Sequence, residues 1–477
     1  MREKKYHIAL IIALFCFQQL KAQPPIIEKS PVADTIAPPN TSFIIGNIII
    51  TGNRKTKDKV ILRELPFRIG EQYELKELVE KFEIARRQLV NISLFNRVIV
   101  AARNFDGNKV DITVEVKERW YLFPVPIFEP VDRNLNQWLV EQKGSLSRVN
   151  YGGKLFYSNA TGWNDKLRAG FIAGYTKQFS FNYMRPYIDK KLKWGVNVGL
   201  SIGKNKEVTY NTINDKQVFV KDENNFLRRY VNTNLELSYR KAIKTRHRFG
   251  ISYTIEDLKD TVIKLNPSYF KFNQNKLQYA GLYYIMTYYD LDYMPYPTKG
   301  LAAEIQVTKN GFNKNLDMWG LSVKSSRYWQ LSSKTYFNLN LYGAIKLPFK
   351  QPYYNKRFLG YGDAYLQGYE YYVADGVAGG FVKTSLARQF LKFDVRLPSK
   401  KGGESYRIPF RIFAKTYGNA GYVHDPEPGK NRLSNKMLYS GGFGIDVVTF
   451  YDITLKLEYS FNQLGQNGLF LHSNSIF

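Results

Sequence analysis

The chain has 477 residues, a formal net charge of +28, and 36 tyrosines with 32 phenylalanines. Its mean hydropathy is negative, and this combination argues against an ordinary soluble protein. It suits a membrane β-barrel, whose strands are apolar only at alternate positions. The sequence has no run of about 18 apolar residues, which excludes a transmembrane helix.

The N-terminus predicts export. Arg2, Lys4 and Lys5 precede an apolar run at 8–17, and Ala22 is a small residue at the expected cleavage point. These features are typical of a cleavable secretory signal, which we place at residues 1–22. The single cysteine, Cys16, lies inside this run, so we expect no disulfide in the mature protein.

A short tether and a small domain follow. Residues 23–41 hold five prolines and predict an extended tether. Residues 42–119 predict an α+β domain in the order β-α-α-β-β, because apolar residues recur first at strand, then at helical, then again at strand spacing. The predicted elements are strand 43–51, helix 57–65, helix 75–94, strand 96–104 and strand 109–117.

Two motifs give this domain a specific resemblance. Gly52, Asn53 and Thr56 form a turn after the first strand, and Leu94 and Phe95 follow a small turn after the second helix. Both motifs are similar to those of a POTRA domain, although any small α+β domain with a Gly-Asn turn would share the first. The resemblance implies a periplasmic domain that precedes an outer-membrane barrel and receives unfolded client proteins.

From residue 120 to the end, apolar and polar residues alternate with a period of two, as Leu235 and Leu237 do with Glu236. We count sixteen such segments and predict a sixteen-stranded antiparallel transmembrane β-barrel at 120–477. An even number of strands closes such a barrel without an exposed edge, which lipid requires. The segments lie near 121–129, 150–158, 165–176, 178–188, 192–204, 226–240, 246–257, 275–290, 300–310, 316–331, 334–347, 380–397, 407–422, 437–449, 451–462 and 469–477.

Short turns and long loops alternate between the segments, as in outer-membrane barrels. The longest loop, between the eleventh and twelfth segments, contains the Gly- and Tyr-rich stretch 358–376. Within it, Leu366, Gln367, Gly368 and Tyr369 resemble the motif at the tip of the sixth loop of the BamA/TamA superfamily. The resemblance implies a loop that folds into the barrel lumen. Gln367 stands where that family has an arginine.

The same resemblance implies charged partners for this motif on the inner wall. We predict Lys415, Asp446 and Glu458 as these lumen partners. The thirteenth segment has no acidic residue at the position that is usual in the family. A neutral hydrogen bond from Gln367 is therefore expected to replace the family's charge-assisted pair.

Two further features agree with this family. Asp290, Pro297 and Gly300 resemble its periplasmic turn between the eighth and ninth strands, where proline fixes φ and glycine permits the reversal. Phe477 is an aromatic C-terminal residue like those of outer-membrane barrels. The last strand is polar and Pro124 removes a donor from the first, so we predict a weak seam between them, with a frayed terminus as the alternative.

Signals for catalysis are poor. The match to G-x-S-x-G at 199–203 lies inside a strand, where no nucleophile elbow forms. His247, His424 and His472 lack metal-ligand spacing. We predict no catalytic residue, no metal site and no cofactor. The basic excess predicts a hydrated, positive lumen or contact with lipopolysaccharide phosphates, and export makes nucleic-acid binding implausible.

The resulting hypothesis is an outer-membrane protein that inserts or translocates client polypeptides, with its POTRA domain in the periplasm. The expected partners are outer-membrane lipids including lipopolysaccharide, unfolded clients bound by the POTRA domain, and periplasmic or lipoprotein accessory subunits. A passive pore or structural barrel is the alternative. A barrel phospholipase is the third hypothesis and requires a Ser-His pair near the lipid.

Overall fold

The computed structural model describes residues 42–130, 137–141, 143–145, 149–222, 224–397, 406–449 and 452–474. The predicted signal at 1–22, the tether at 23–41 and Phe477 lie outside these residues. The domain boundaries given above stay a prediction.

A small α+β domain begins the described chain. Its sheet has the order β2-β1-β4-β3, in which β1 and β4 are parallel and the other neighbours are antiparallel. The predicted order is found with one addition, the three-residue strand β2, which is too short to show alternation in sequence. Its elements are β1 (Ser42–Thr51), α1 (Asp58–Leu62), β2 (Gln72–Glu74), α2 (Leu75–Asn91), β3 (Phe95–Asp106) and β4 (Lys109–Glu118).

The apolar stripe of α2 fixes this domain's core. Leu78, Phe82, Ala85 and Leu89 are buried along one side of the helix, at the spacing that places residues on a single helical face. They belong to one apolar cluster with the inner residues of β3 and β4. The predicted helix period is therefore correct, and only the helix end, at Asn91, differs from the prediction.

The rest of the chain forms a sixteen-stranded antiparallel β-barrel sheet, the fold predicted from the period of two. Each strand pairs with the next one along the barrel. Its strands are β5 (Leu122–Pro130), β6 (Val149–Ser158), β7 (Lys166–Gly174), β8 (Thr176–Arg185), β9 (Trp194–Asn205), β12 (Arg228–Tyr239), β13 (Thr245–Leu258), β14 (Lys276–Leu291), β15 (Gly300–Asn313), β16 (Leu316–Gln330), β17 (Thr335–Leu347), β20 (Ala378–Leu397), β21 (Tyr406–His424), β22 (Met437–Val448), β23 (Thr454–Asn462) and β24 (Asn467–Asn474).

The two faces of this sheet differ as the alternation predicts. On β12, Leu235 and Leu237 are 44% and 46% exposed, whereas Glu236 between them is 5% exposed. The apolar face points outward, and the polar face points into the barrel. Within the described part of the chain, no ladder joins β24 to β5, so these two strands form the ends of the sheet.

The small domain contacts one end of the barrel, which we call the domain end. The turns after β6, β8, β12, β14 and β22 lie there. Long loops lie at the opposite, far end. They fold into further short elements, which the sequence did not predict: β10 (Glu207–Ile213), β11 (Lys216–Lys221), α3 (Asp260–Leu265), β18 (Arg357–Leu359) and β19 (Ala374–Asp375).

No helix among the described residues is long and apolar enough to cross a membrane.

Candidate functional site

The tip of loop 348–377 contacts the inner face of the last strands. Gln367 Nε2 donates a hydrogen bond to Glu458 Oε1 at 3.1 Å, and Asn462 Nδ2 donates to the Gly368 carbonyl at 2.7 Å. The Tyr369 hydroxyl donates to the Tyr439 carbonyl at 3.1 Å. Three residues of the predicted motif thus make polar contacts to β22 or β23.

Gly368 is required by its backbone conformation and by its neighbours. Its φ is +89°, in the left-handed region that favours glycine. A Cβ atom there would lie 3.2 Å from the Phe461 carbonyl oxygen and 3.3 Å from Ser460 Cβ. The loop therefore approaches β23 so closely that a side chain at this position would require its neighbours to move by a few tenths of an ångström.

The three predicted lumen partners form one buried ion cluster. Lys415 Nζ lies 2.6 Å from Asp446 Oδ1 and 2.6 Å from Glu458 Oε1. These residues stand on the consecutive strands β21, β22 and β23. Lys415 and Glu458 both lie directly opposite Gly444 of β22, whose missing side chain leaves room for the contact. The positive charge is thus on the wall, and the loop contributes a neutral amide.

The final strand β24 joins this cluster through His472, whose place in the cluster the sequence did not predict. His472 Nδ1 lies 2.6 Å from Glu458 Oε2, and Nε2 lies 3.6 Å from Glu370 Oε1 of the loop. The imidazole also stacks on Tyr365, with ring centroids 5.0 Å apart. The loop therefore holds β24 through side-chain contacts, in addition to the ladder between β24 and β23.

The predicted turn between β14 and β15 reaches the same cluster from the domain end. Asp292 Oδ1 accepts hydrogen bonds from the backbone N–H groups of Thr298 and Lys299, at 2.9 and 3.1 Å. Gly300 has a φ of +122° at the reversal, as the Pro-x-x-Gly pattern requires. The Tyr296 hydroxyl then donates to Asp446 Oδ2 at 2.9 Å, a contact with no signal in the sequence.

Two other residues of that turn connect it to the small domain, Asp290 directly and Tyr293 through Asp452. Asp290 Oδ2 accepts from Lys244 Nζ at 2.8 Å, and its other oxygen lies 3.7 Å from Arg87 of α2. The hydroxyl of Tyr293 donates to Asp452, and Asp452 also pairs with Arg119 at 2.7 Å. Arg119 lies at the junction of the small domain and the barrel, so polar contacts extend from this junction to the turn.

Thr56, of the predicted POTRA motif, lies at the same interface. Thr56 donates from its backbone N–H and from Oγ1 to Glu118 Oε1, at 2.7 and 2.6 Å. Asn159, in the turn after β6, donates from Nδ2 to Thr56 Oγ1 at 2.9 Å. Asn53 Nδ2 donates to the Thr56 carbonyl and to Asp58, which closes the turn that starts at Gly52.

Gly52 admits no side chain, because a Cβ atom would lie 1.9 Å from the Val116 carbonyl oxygen. Leu94 and Phe95 are fully buried in the domain core.

A second interface contact, missed in the sequence, is a buried ion pair between the domains. Arg240 Nη2 donates to Glu64 Oε2 at 2.8 Å, and the Tyr187 hydroxyl donates to Glu64 Oε1 at 3.1 Å. Burial, followed by the Glu64 carboxylate, raises the pKa of Tyr187 to about 12. Arg63 adds hydrogen bonds to the carbonyls of Leu192 and Arg240. These residues are far apart in sequence, so no motif links them.

Comparison with known families agrees with this architecture. Residues 43–119 match the POTRA family, described as surface antigen variable number repeat, and residues 159–386 match the Omp85 superfamily domain. The chain therefore contains a POTRA domain and an Omp85 superfamily domain.

Individual relatives show how far the similarity extends. The outer membrane protein assembly factor BamA of Neorickettsia risticii (strain Illinois) is 33% identical over 77 residues, which are 16% of this chain and 10% of that protein. The match therefore spans only about a tenth of the relative's length.

Two solved structures share the fold. BamA from Haemophilus ducreyi lacking POTRA domains 1–3 has a TM-score of 0.51 at 16% identity, with 91% of this chain and 84% of that chain covered. CdiB from Escherichia coli has a TM-score of 0.50 at 11% identity, with 95% and 92% covered. At these identities the similarity concerns the fold alone.

As an Omp85-type barrel, the protein belongs in the outer membrane, and its apolar exterior faces that bilayer. Of the predicted site residues, Gln367 and Lys415 lie close together inside the barrel, and Asp290 lies at its domain end. Their functional roles remain predictions. The contacts that sequence reasoning missed, through His472 and Tyr296, involve side chains that belong to no local motif.

Proposed function

We propose that this Omp85 protein inserts or translocates client polypeptides at the outer membrane, with its POTRA domain in the periplasm and loop 348–377 folded into the lumen. One observation carries the proposal: β5 and β24 end the sheet without a ladder between them in the described chain. A client strand can add to such an edge by main-chain hydrogen bonds. No covalent chemistry or cofactor is needed for this exchange.

The prolines of the first barrel strand, β5, support a seam between β5 and β24 that can open. Pro124 and Pro126 lie within β5, opposite Leu155 and Gly153 of β6. Proline lacks an N–H group and is tolerated mainly where the strand has no partner on one side. β5 therefore has fewer donors to offer β24, which makes the seam between them weaker than the other strand pairs.

The POTRA sheet offers a second edge for an extended client. Its order places β3 at one side with β4 as its only partner among the described strands. β3 spans Phe95–Asp106, which is long enough for an added strand to form several main-chain hydrogen bonds. We expect periplasmic or lipoprotein accessory subunits to use the exposed side of α2, and lipids including lipopolysaccharide to surround the barrel.

Reconstitution tests the proposal directly. The full protein in liposomes should accelerate the folding of an unfolded barrel client above the rate in empty liposomes. Equal rates would contradict insertion. A variant without residues 42–118 should still bind the lipids of the liposomes but lose most of the acceleration of client folding. A passive pore would instead show open conductance that persists in this variant, with no acceleration of folding.

A further inference from the structure

A row of charged side chains crosses five neighbouring strands near the far end of the barrel. Lys177 of β8 lies opposite Lys204 of β9, which lies opposite Arg229 of β12. Arg229 lies opposite Asp257 of β13, and Asp257 opposite Lys276 of β14. Residues directly opposite each other on neighbouring strands point to the same side of the sheet. The row therefore places four cations and one anion on a single face.

That face is the outer, lipid-facing one. Each residue of the row is an even number of positions from an exposed apolar residue of its own strand, and even spacing means the same face. Lys177, Lys204 and Arg229 also lie within two residues of the strand ends at the far end of the barrel. The exposed apolar residues are Phe179, Ile202, Leu235, Tyr253 and Leu282.

An aromatic ring lies beside two lysines of this row and beside the neighbouring Lys206. Lys204 Nζ lies 4.4 Å from the centre of the Phe226 ring, and the Nζ atoms of Lys177 and Lys206 each lie 5.9 Å from it. Cation–π attraction holds ammonium groups near such a ring. In the described chain, no acidic group forms an ion pair with Lys177, Lys204 or Arg229.

The cationic end of the row is unfavourable without a further anion, because Asp257 lies opposite Arg229 but not opposite Lys177 or Lys204. Like charges directly opposite on neighbouring strands are destabilising, and strands about 4.8 Å apart place three cations within about 10 Å. Lys309 of β15, another lysine near the far end of the barrel, differs in having an acidic partner: it pairs with Asp317 of β16 and lies beside Trp319. A phosphate at the membrane surface would offset the repulsion by charge-assisted hydrogen bonds.

We propose that Lys177, Lys204 and Arg229 bind the phosphate of a lipid headgroup in the outer leaflet. The site is on the lipid-facing side of the rim, where a headgroup lies beside the barrel, and its cations extend from the apolar band toward the interface. The inference rests on the proposed periplasmic position of the POTRA domain, which fixes the far end as the outer side. It is independent of whether the barrel inserts clients.

Native mass spectrometry of the full protein in detergent tests the site. The probes are lipid A with two phosphates, the dephosphorylated lipid with the same acyl chains, and inorganic phosphate. The wild-type protein should retain phosphorylated lipid A and lose it when all three residues are replaced by glutamine. We expect retention to fall about fivefold for each cation removed. Lys309→Gln is the matched control and should retain the lipid.

Three results would overturn the proposal: equal retention by the triple variant, equal retention of the dephosphorylated lipid, or displacement of the lipid by millimolar inorganic phosphate. Heat-dependent gel mobility checks that each barrel is folded. If the triple variant is unfolded, Lys204→Gln alone must still lower retention, and unchanged retention there also contradicts the site. Because binding is measured directly, a failure of client insertion leaves this result unaffected.

Discussion

Lys415 of β21 reaches Glu458 of β23 across Gly444 of the strand between them, with Nζ 2.6 Å from the carboxylate oxygen. Two residues on non-adjacent strands form an ion pair only because the intervening position has no side chain. The pair is buried, so its attraction offsets a large desolvation cost, and loss of Lys415 leaves the Glu458 carboxylate buried without this cation. Gln367 donates to the same carboxylate, which connects the loop to this pair.

Removal of one charge from this pair should destabilise the barrel. We expect Lys415→Met to lower the free energy of unfolding by about 3–5 kcal/mol, because Asp446 and Glu458 then stay buried without the cation that they share. Glu458→Gln should cost less, because Lys415 keeps Asp446 as a buried anionic partner. Urea unfolding in lipid vesicles, followed by tryptophan fluorescence, measures both variants. Equal stability of Lys415→Met and wild type would show that the cluster contributes nothing.

The position of the positive charge can be moved from the wall to the loop. Gln367→Arg alone adds a second cation near Lys415 and should loosen the loop, because two buried like charges repel. Gln367→Arg with Lys415→Gln restores one cation beside Glu458 and should restore the loop. Protease cleavage within 358–376 reports the change. If the double variant is cleaved as fast as the single one, the two positions do not exchange charge.

The Glu64–Arg240 pair should hold the POTRA domain against the barrel. We expect Arg240→Met to weaken this docking by about 3–5 kcal/mol, since Glu64 stays buried without its cation. The distribution of distances between a spin label on α2 and one on a far-end loop should broaden, while the melting temperature of the barrel stays unchanged. Lys81→Met is the control: its pair with Glu77 is exposed, with atoms 3.8 Å apart, and should change docking by less than about 0.5 kcal/mol. An unchanged distance distribution in Arg240→Met would contradict the prediction.

The same docking should respond to alkaline pH through Tyr187. Its pKa in the folded protein is about 12, against about 10 in an unfolded chain. The stabilisation from the neutral hydroxyl is complete below pH of about 10 and is lost as pH rises through about 12. The distribution of label distances should therefore stay constant from about pH 6 to 9 and broaden above about pH 10. Tyr187→Phe lacks the titrating group, and an identical pH response in that variant would exclude Tyr187 as its origin.

Local pattern was sufficient for the fold and for part of the site. The period of two in β12, with Leu235 and Leu237 outward and Glu236 inward, identified strands, and the helical stripe of α2 identified the small domain. The tip at Gln367 was found because four adjacent residues form a motif. The contacts of His472, Tyr296 and Glu64 could not be found in this way, because each joins residues that are 102 to 176 positions apart.

The sequence by itself thus determined the strand count, the order of the domains and the stretch 358–376 as the unusual loop, since alternation, turns and a short motif are local properties. Only the tertiary structure decided where the charge that pairs with Glu458 stands. Strand register places Lys415 opposite Gly444, and a glycine in one strand then lets residues of its two neighbours meet. The stretch 358–376 became a candidate site through that geometry, because its Gln367 contacts a carboxylate that Lys415 already holds.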